Sequence, residues 1–145
     1  MRGARFTLLA FLLPLLWLPH TARAQDVVVV VNAGSHIRSL TRDQVIDIFM
    51  GRFRQLPSGA TALPIDVADA AVRQTFYQRL VHKSLAEIGS YWARLVFSGE
   101  GSPPFQAPDM RTALALVAAN PDAIAYCYRA AVTGRRVRVV LDLNP

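Results

Sequence analysis

The chain has 145 residues, of which 52% are hydrophobic and 18% are charged, and its formal net charge is +6. This length allows one domain with a buried core, and the single cysteine, Cys127, excludes an internal disulfide. The basic residues are scattered apart from a short run at 135–138, so the charge pattern does not predict nucleic-acid binding.

Residues 1–24 have the pattern of a cleaved secretory signal peptide. Arg2 and Arg5 form a charged start, a largely apolar stretch follows, and the segment ends in Ala-Arg-Ala. Signal peptidase cuts after such a small-x-small pattern. We therefore expect a periplasmic mature domain at 25–145; an uncleaved anchor helix is the alternative. The segment holds three of the sixteen basic residues, so thirteen remain against ten acidic ones, a net of +3.

The domain begins with a predicted strand and a capped helix. Five consecutive valines at 27–31 predict a strand that is buried on both faces, as in a parallel or mixed sheet flanked by helices. Thr41 and Gln44 have the spacing of a capping box, so a helix is expected to begin there. Gly51 lies where a glycine commonly ends a helix. No segment after residue 24 is apolar for long enough to span a bilayer.

The middle of the domain predicts a short strand at 63–67 and two helices. The first helix spans 69–80, and the second spans 84–96 and begins at a capping box. The apolar face of the second helix consists of Ile88, Trp92, Leu95 and Val96. The stretch 99–108 is rich in glycine and proline, which predicts a loop.

The last third predicts one helix and two strands. Asp109 caps a helix over 110–119, and strands are expected at 123–128 and 136–143. Cys127 lies in the first of these strands, where a buried, small apolar role is expected. The predicted order is β, α, β, α, α, α, β, β, which indicates a single α/β domain with a small central sheet.

Residues 39–51, 76–80 and 113–128, in this order, resemble the periplasmic phosphate-binding proteins of ABC importers. The first stretch is similar to the family pattern L-T-x-x-Q-L-x-D-I-F-x-G, and the third to V-x-x-x-P-G-A-I-G-Y. A shorter bacterial group, the phosphate ABC transporter substrate-binding proteins, also has a segment like 91–99. The resemblance spans nearly all of the mature domain.

The resemblance implies a single lobe of a type II periplasmic-binding-protein-like fold, with a small mixed sheet flanked by helices. Full-length members have two lobes that close on the ligand, and this chain is similar to the later half only. A partner or a second copy, as in a homodimer, would supply the other face. The resemblance further implies a solute-binding module for phosphate or another small oxyanion, without a cofactor, which works with an ABC permease or another envelope protein.

The family holds phosphate with an R-S-D-G-S-G-T stretch, whose helix amides and positive dipole end favour an anion. The corresponding stretch here, 66–75, lacks Ser-Gly-Thr and contains two aspartates. The resemblance places the charge partner at Arg73 and the amides at the helix starts near Thr41 and Asp69. The full set of expected ligand-binding residues is Thr41, Asp69, Arg73, Gln74, Thr75, Ser98 and Gly99.

Two other classes stay open. One is an envelope module that recognises a protein instead of a solute, which the loss of Ser-Gly-Thr favours. The other is an enzyme, for which the chain offers poor material: Ser35 and His36 are sequence neighbours that rarely face each other, and Cys127 has no basic neighbour except Arg129. Neither His36 nor His82 has a partner at metal-ligand spacing. We therefore expect a protein that is not an enzyme and holds no metal.

Overall fold

The computed structural model describes residues 25–144, so the signal peptide predicted at 1–24 lies outside the described part of the chain. The elements in chain order are β1 (Val27–Asn32), α1 (Arg42–Phe49), β2 (Leu63–Val67), α2 (Ala70–Val81), α3 (Leu85–Ser98), β3 (Phe105–Ala107), α4 (Met110–Ala119), β4 (Ala123–Tyr128) and β5 (Val137–Asp142). A 3₁₀ turn at Arg129–Val132 joins β4 to β5. Among the described helices, none combines the length and the apolar character that a membrane span requires.

The five strands form one mixed sheet in the order β3-β2-β4-β1-β5. β2 is parallel to β3 and β4, whereas β1 is antiparallel to β4 and β5. All five valines at 27–31 are fully buried, as their unbroken apolar run predicts. The prediction of an α/β fold with a small mixed sheet flanked by helices is confirmed.

β3 is a correction to the prediction of a loop over 99–108. Its three residues pair in parallel with Ile65–Val67 at the edge of the sheet. A strand of three residues is too short to show an alternating pattern, so only its pairing with β2 defines it. A second correction concerns α3, which extends to Ser98 and leaves Val96 54% exposed instead of on the apolar face.

Side-chain caps fix the beginnings of all four described helices. The capping boxes predicted at Thr41 and Ser84 are both present, and Asp69 and Asp109 cap α2 and α4. The Asp69 carboxylate accepts the N–H of Ala71 at 2.9 Å. These caps determine where α2 leaves the end of β2, which positions the side chains described below.

An aromatic cluster fills the core beneath α2. The Phe76 ring stacks on the Tyr126 ring with centroids 3.8 Å apart, and the Phe49 ring meets Phe76 edge-on at 4.9 Å. Tyr77 completes the cluster at 5.0 Å from Phe76. Cys127 is buried as expected, and burial raises the pKa of its thiol to about 12. The core thus contains the phenol groups of Tyr77 and Tyr126, whose hydroxyls need hydrogen-bond partners.

Candidate functional site

The two helix starts predicted to supply amides lie at different ends of α2. Thr41 caps α1, and the next residue, Arg42, donates to the carbonyls of Arg79 and Leu80 at the C-terminal end of α2. Asp69 caps the other end of this 12-residue helix, about 18 Å away. The two N-termini therefore do not converge on one small anion.

The remaining predicted residues are also dispersed. Gln74 and Thr75 line a shallow depression on α2, and the Thr75 hydroxyl donates to the Ala71 carbonyl at 2.9 Å. Ser98 and Gly99 lie at the end of α3, where the Ser98 hydroxyl donates to a carbonyl one turn earlier. Gly99 has a positive φ of 74° and ends the helix. These hydroxyls have partners within their own helices, and the structure does not bring the two pairs together.

Arg73 is paired with a buried carboxylate at the end of β2. Its Nε donates to Asp66 Oδ2 at 2.8 Å, and Asp66 is only 3% exposed. Tyr77 donates its hydroxyl to the same oxygen at 3.3 Å. Tyr126 donates to Oδ1, which also accepts the N–H of Val67 at 3.0 Å. Four donors therefore compensate the buried carboxylate, as a charge in the core requires.

The two phenols beside Asp66 are held in their protonated form. Burial raises the pKa of Tyr77 and of Tyr126 far above its ordinary value, and the negative charge of Asp66 raises both further. Both hydroxyls are therefore donors at neutral pH. This position has the donors that an oxyanion would need, but the chain's own carboxylate occupies it.

The C-terminal ends of β2 and β3, next to Asp66, form an acidic edge of the sheet. Asp69 follows β2 and Asp109 follows β3, and because these strands are parallel, both aspartates lie at the edge that Asp66 also approaches. Each caps a helix, and the hydrogen bond from the Thr112 N–H lowers the pKa of Asp109. Open α/β sheets commonly bind ligands outside this edge. Here the helix N-termini are capped by carboxylates, whose charge repels an oxyanion.

A groove of about 500 Å³ lies between α1, the C-terminal end of α2 and α3. We call it the basic groove. None of its ten lining residues is acidic. Its basic residues are Arg42, Arg52, Arg79, His82 and Lys83, and its other residues are Ile46, Met50, Leu80, Val81 and Tyr91. The lining therefore combines positive charge with apolar side chains.

Backbone geometry and hydrogen bonds fix the walls of the basic groove. His82 has a positive φ of 55°, which ends α2 and turns the chain toward α3. Tyr91 donates its hydroxyl to the Met50 carbonyl at 2.7 Å, which joins α3 to the end of α1. Arg79 donates to the Asn144 side chain. An arginine has five N–H donors, so Arg79 keeps donors for a ligand.

The positive charge of the groove is only partly offset. Lys83 Nζ lies 3.5 Å from Glu87 Oε1, in an exposed pair of small energetic value. Hydrogen bonds from Ser84 hold Glu87 and lower its pKa. Within residues 25–144, the Arg52 side chain takes part in no hydrogen bond or ion pair. The sequence did not predict this site, because its basic residues come from three separate segments. The cluster of Arg79, His82 and Lys83 is the one local sign of this basic surface.

No protein-family model matches the sequence, and no curated protein matches it. Three solved structures share the fold over 79% of this chain. An ABC-type phosphate transport receptor from Vibrio cholerae has a TM-score of 0.62, 16% identity and 45% of its own length covered. A protein from Clostridium perfringens, described as a phosphate ABC transporter substrate-binding protein with bound phosphate, has a TM-score of 0.61 and 17% identity, with 44% of its own length covered. A protein from Planctomyces limnophilus, described as a possible phosphate binding protein, has a TM-score of 0.55 and 12% identity, with 40% of its own length covered.

The chain spans less than half the length of each of these structures. At identities of 12–17% the likeness shows the fold, whereas function depends on the site. The resemblance inferred from residues 39–51, 76–80 and 113–128 is supported to this extent: the chain has the fold of part of three solved structures that are described as phosphate-binding or phosphate transport proteins.

Proposed function

We propose that this protein is a solute-binding module that binds a small oxyanion, such as phosphate, in the basic groove. The observation that carries the proposal is the composition of the groove: five basic side chains and no acidic residue line a space of about 500 Å³. The shared fold adds support, because the three similar structures are described as transport or phosphate-binding proteins and not as enzymes.

Arg42 prepares the groove for an anion. A helix C-terminus is the negative end of the helix dipole and would repel a negative ligand. Arg42 donates to the carbonyls of Arg79 and Leu80 and so covers part of this negative end. The remaining N–H donors of Arg79 and the exposed ammonium group of Lys83 can then form charge-assisted hydrogen bonds with the oxyanion.

The place of action and the partners are part of the proposal. We infer a periplasmic location from the segment 1–24 and cooperation with an ABC permease from the resemblance. A partner or a second copy of the chain would cover the lobe. The envelope module that recognises protein alone gains no support from the similar structures. The anion role of Arg73 stays a prediction, in competition with its bond to Asp66.

Thermal unfolding with and without millimolar phosphate or sulfate, at matched ionic strength, tests the proposal. Ligand at 100 times its Kd should stabilise the fold by about 2.7 kcal/mol, which raises the Tm by several degrees. We expect the double variant Arg79→Ala/Lys83→Ala to lose this shift. The variant Arg135→Ala/Arg136→Ala removes the same charge from exposed positions before β5 and should keep it.

Arg73→Ala separates the two possible sites. Loss of the shift in Arg73→Ala, with the shift retained in Arg79→Ala/Lys83→Ala, would move the site to the turn between β2 and α2. Absence of any shift with any oxyanion would refute the proposed function.

A further inference from the structure

The basic groove is larger and more apolar than an inorganic oxyanion requires. Its volume of about 500 Å³ lies within the range of sites for small organic molecules. Half of its lining residues are apolar or aromatic. Phosphate has no apolar surface, so it would engage the basic residues and leave these walls uncovered.

The residues of α1 that line the groove follow one another along its length. Arg42, Ile46 and Met50 are spaced four residues apart, so they form one stripe on the same face of the helix. The stripe has a cation at its start, apolar side chains along its length and Arg52 just beyond its end. It is about 12 Å long, because it covers eight residue steps of 1.5 Å.

The two ends of the groove differ in chemistry. At one end Arg42 contacts the end of α2, which places it beside the segment that contains Arg79, His82 and Lys83. At the other end the Tyr91 hydroxyl is bound to the Met50 carbonyl, so its ring offers mainly apolar surface. Four of the five basic residues thus lie at one end, and Arg52 alone follows the apolar end.

We propose that the basic groove selects an organic phosphate, in which a phosphate ester group is joined to an apolar or aromatic body. The phosphate lies at Arg42, Arg79 and Lys83, and the body lies along Ile46 and Tyr91. This inference rests on the proposed function, because the same basic residues bind the phosphate group. Both a soluble ester and the headgroup of an anionic phospholipid have this chemistry.

The apolar contact should produce a measurable preference. If the protein covers about 60 Å² of apolar ligand surface, at about 25 cal/mol per Å², the affinity rises about ten-fold. Ile46 and Tyr91 are half-buried, so both have surface left for a ligand.

Isothermal titration calorimetry of the intact protein with sodium phosphate, methyl phosphate and phenyl phosphate tests the inference. We expect phenyl phosphate to bind at least about ten-fold more tightly than inorganic phosphate, with methyl phosphate between them. Equal affinities would overturn the inference and leave the proposed function standing. No binding of any of the three would overturn both. The ligand series uses the unmodified protein, so the result does not depend on the folding of a variant.

Two variants and one membrane assay sharpen the result. Ile46→Ser should remove the preference for phenyl phosphate over inorganic phosphate. Leu116→Ser, at a half-buried apolar position on α4, should keep the preference. A preference that survives in Ile46→Ser would contradict the placement of the apolar body. Phosphatidylcholine vesicles that contain phosphatidic acid identify the source: binding to them together with phenyl phosphate indicates a lipid headgroup, and binding of phenyl phosphate alone indicates a soluble ester.

Discussion

Arg73 donates its Nε–H to Asp66 Oδ2 at 2.8 Å, so an arginine on α2 is bound to a carboxylate at the end of the strand before it. The resemblance to phosphate-binding proteins places the bound anion in this part of the chain. Here Arg73, Tyr77 and Tyr126 donate to the carboxylate of Asp66 instead. For this reason we place the oxyanion in the basic groove, where no acidic residue lines the wall.

Replacement of Asp66 by alanine should destabilise the protein strongly. It leaves the Arg73 charge and the hydroxyls of Tyr77 and Tyr126 without their acceptor. Breaking a buried charge pair by removal of one partner costs about 3–5 kcal/mol. Urea unfolding should show a loss of this size. Asp69→Ala, which removes only a helix cap, should lose about 1 kcal/mol; equal losses in the two variants would contradict the structural account.

Formate should restore part of the stability of Asp66→Ala. The variant keeps four donors around a space of carboxylate size, and formate can enter it. The Tm of Asp66→Ala should rise in sodium formate relative to sodium chloride at equal ionic strength. The wild type and Asp69→Ala should not respond, and a response of similar size in all three proteins would indicate a general salt effect.

The protein should lose stability at alkaline pH. The pKa values of Tyr77 and Tyr126 are raised in the fold, so the unfolded chain releases these protons first. Their stabilising effect is complete below about pH 10 and decreases above it. Cys127 has a pKa of about 12 in the fold, so its contribution begins to decrease at the unfolded value of about 8.5.

Cys127→Ala tests this pH dependence. Between the two pKa values of the thiol, the wild type releases one proton from Cys127 when it unfolds, and the variant does not. Between about pH 9 and 12, its free energy of unfolding should fall less steeply than that of the wild type, by about 1.4 kcal/mol per pH unit. Urea unfolding at several pH values gives both slopes. Identical slopes would show that the thiol does not titrate differently in the two states.

Gly51→Ala should be more harmful than Gly99→Ala. Both glycines have a positive φ, 71° and 74°, which costs an alanine roughly 1–2 kcal/mol. A Cβ at Gly51 would also lie 2.8 Å from Cη2 of Trp92, whereas a Cβ at Gly99 would meet nothing within 4 Å. Trp92 is buried, so overpacking there should add about 1–3 kcal/mol. Thermal unfolding of the two variants measures the difference. Equal Tm values would show that the Trp92 ring moves aside for the added Cβ at little cost.

The helix starts could be predicted from the sequence because a cap depends on residues three or fewer positions apart. Thr41, Ser84, Asp69 and Asp109 cap the four described helices as expected. Val96 shows the limit of periodicity. It lies four residues after Trp92, but the last turn of α3 extends past the core, so Val96 and Phe97 are 54% and 96% exposed.

The candidate site could be predicted only in part, because its contacts join distant residues. The sequence shows Asp66 and Arg73 near each other but not that their side chains meet. Tyr126 donates to Asp66 from 60 positions away. The basic groove likewise joins Arg42 to the segment 79–83 through a contact that depends on how α1 packs on α2. A single sequence gives no local signal for such contacts.

Titration of the ¹⁵N-labelled protein with phosphate, followed by amide chemical shifts, tests the central claim most directly. We expect saturable shifts at Arg42 and at residues 79–83, with little change at residues 68–73. Shifts confined to residues 68–73 would place the anion at the turn between β2 and α2, and the absence of shifts at millimolar phosphate would contradict the oxyanion function.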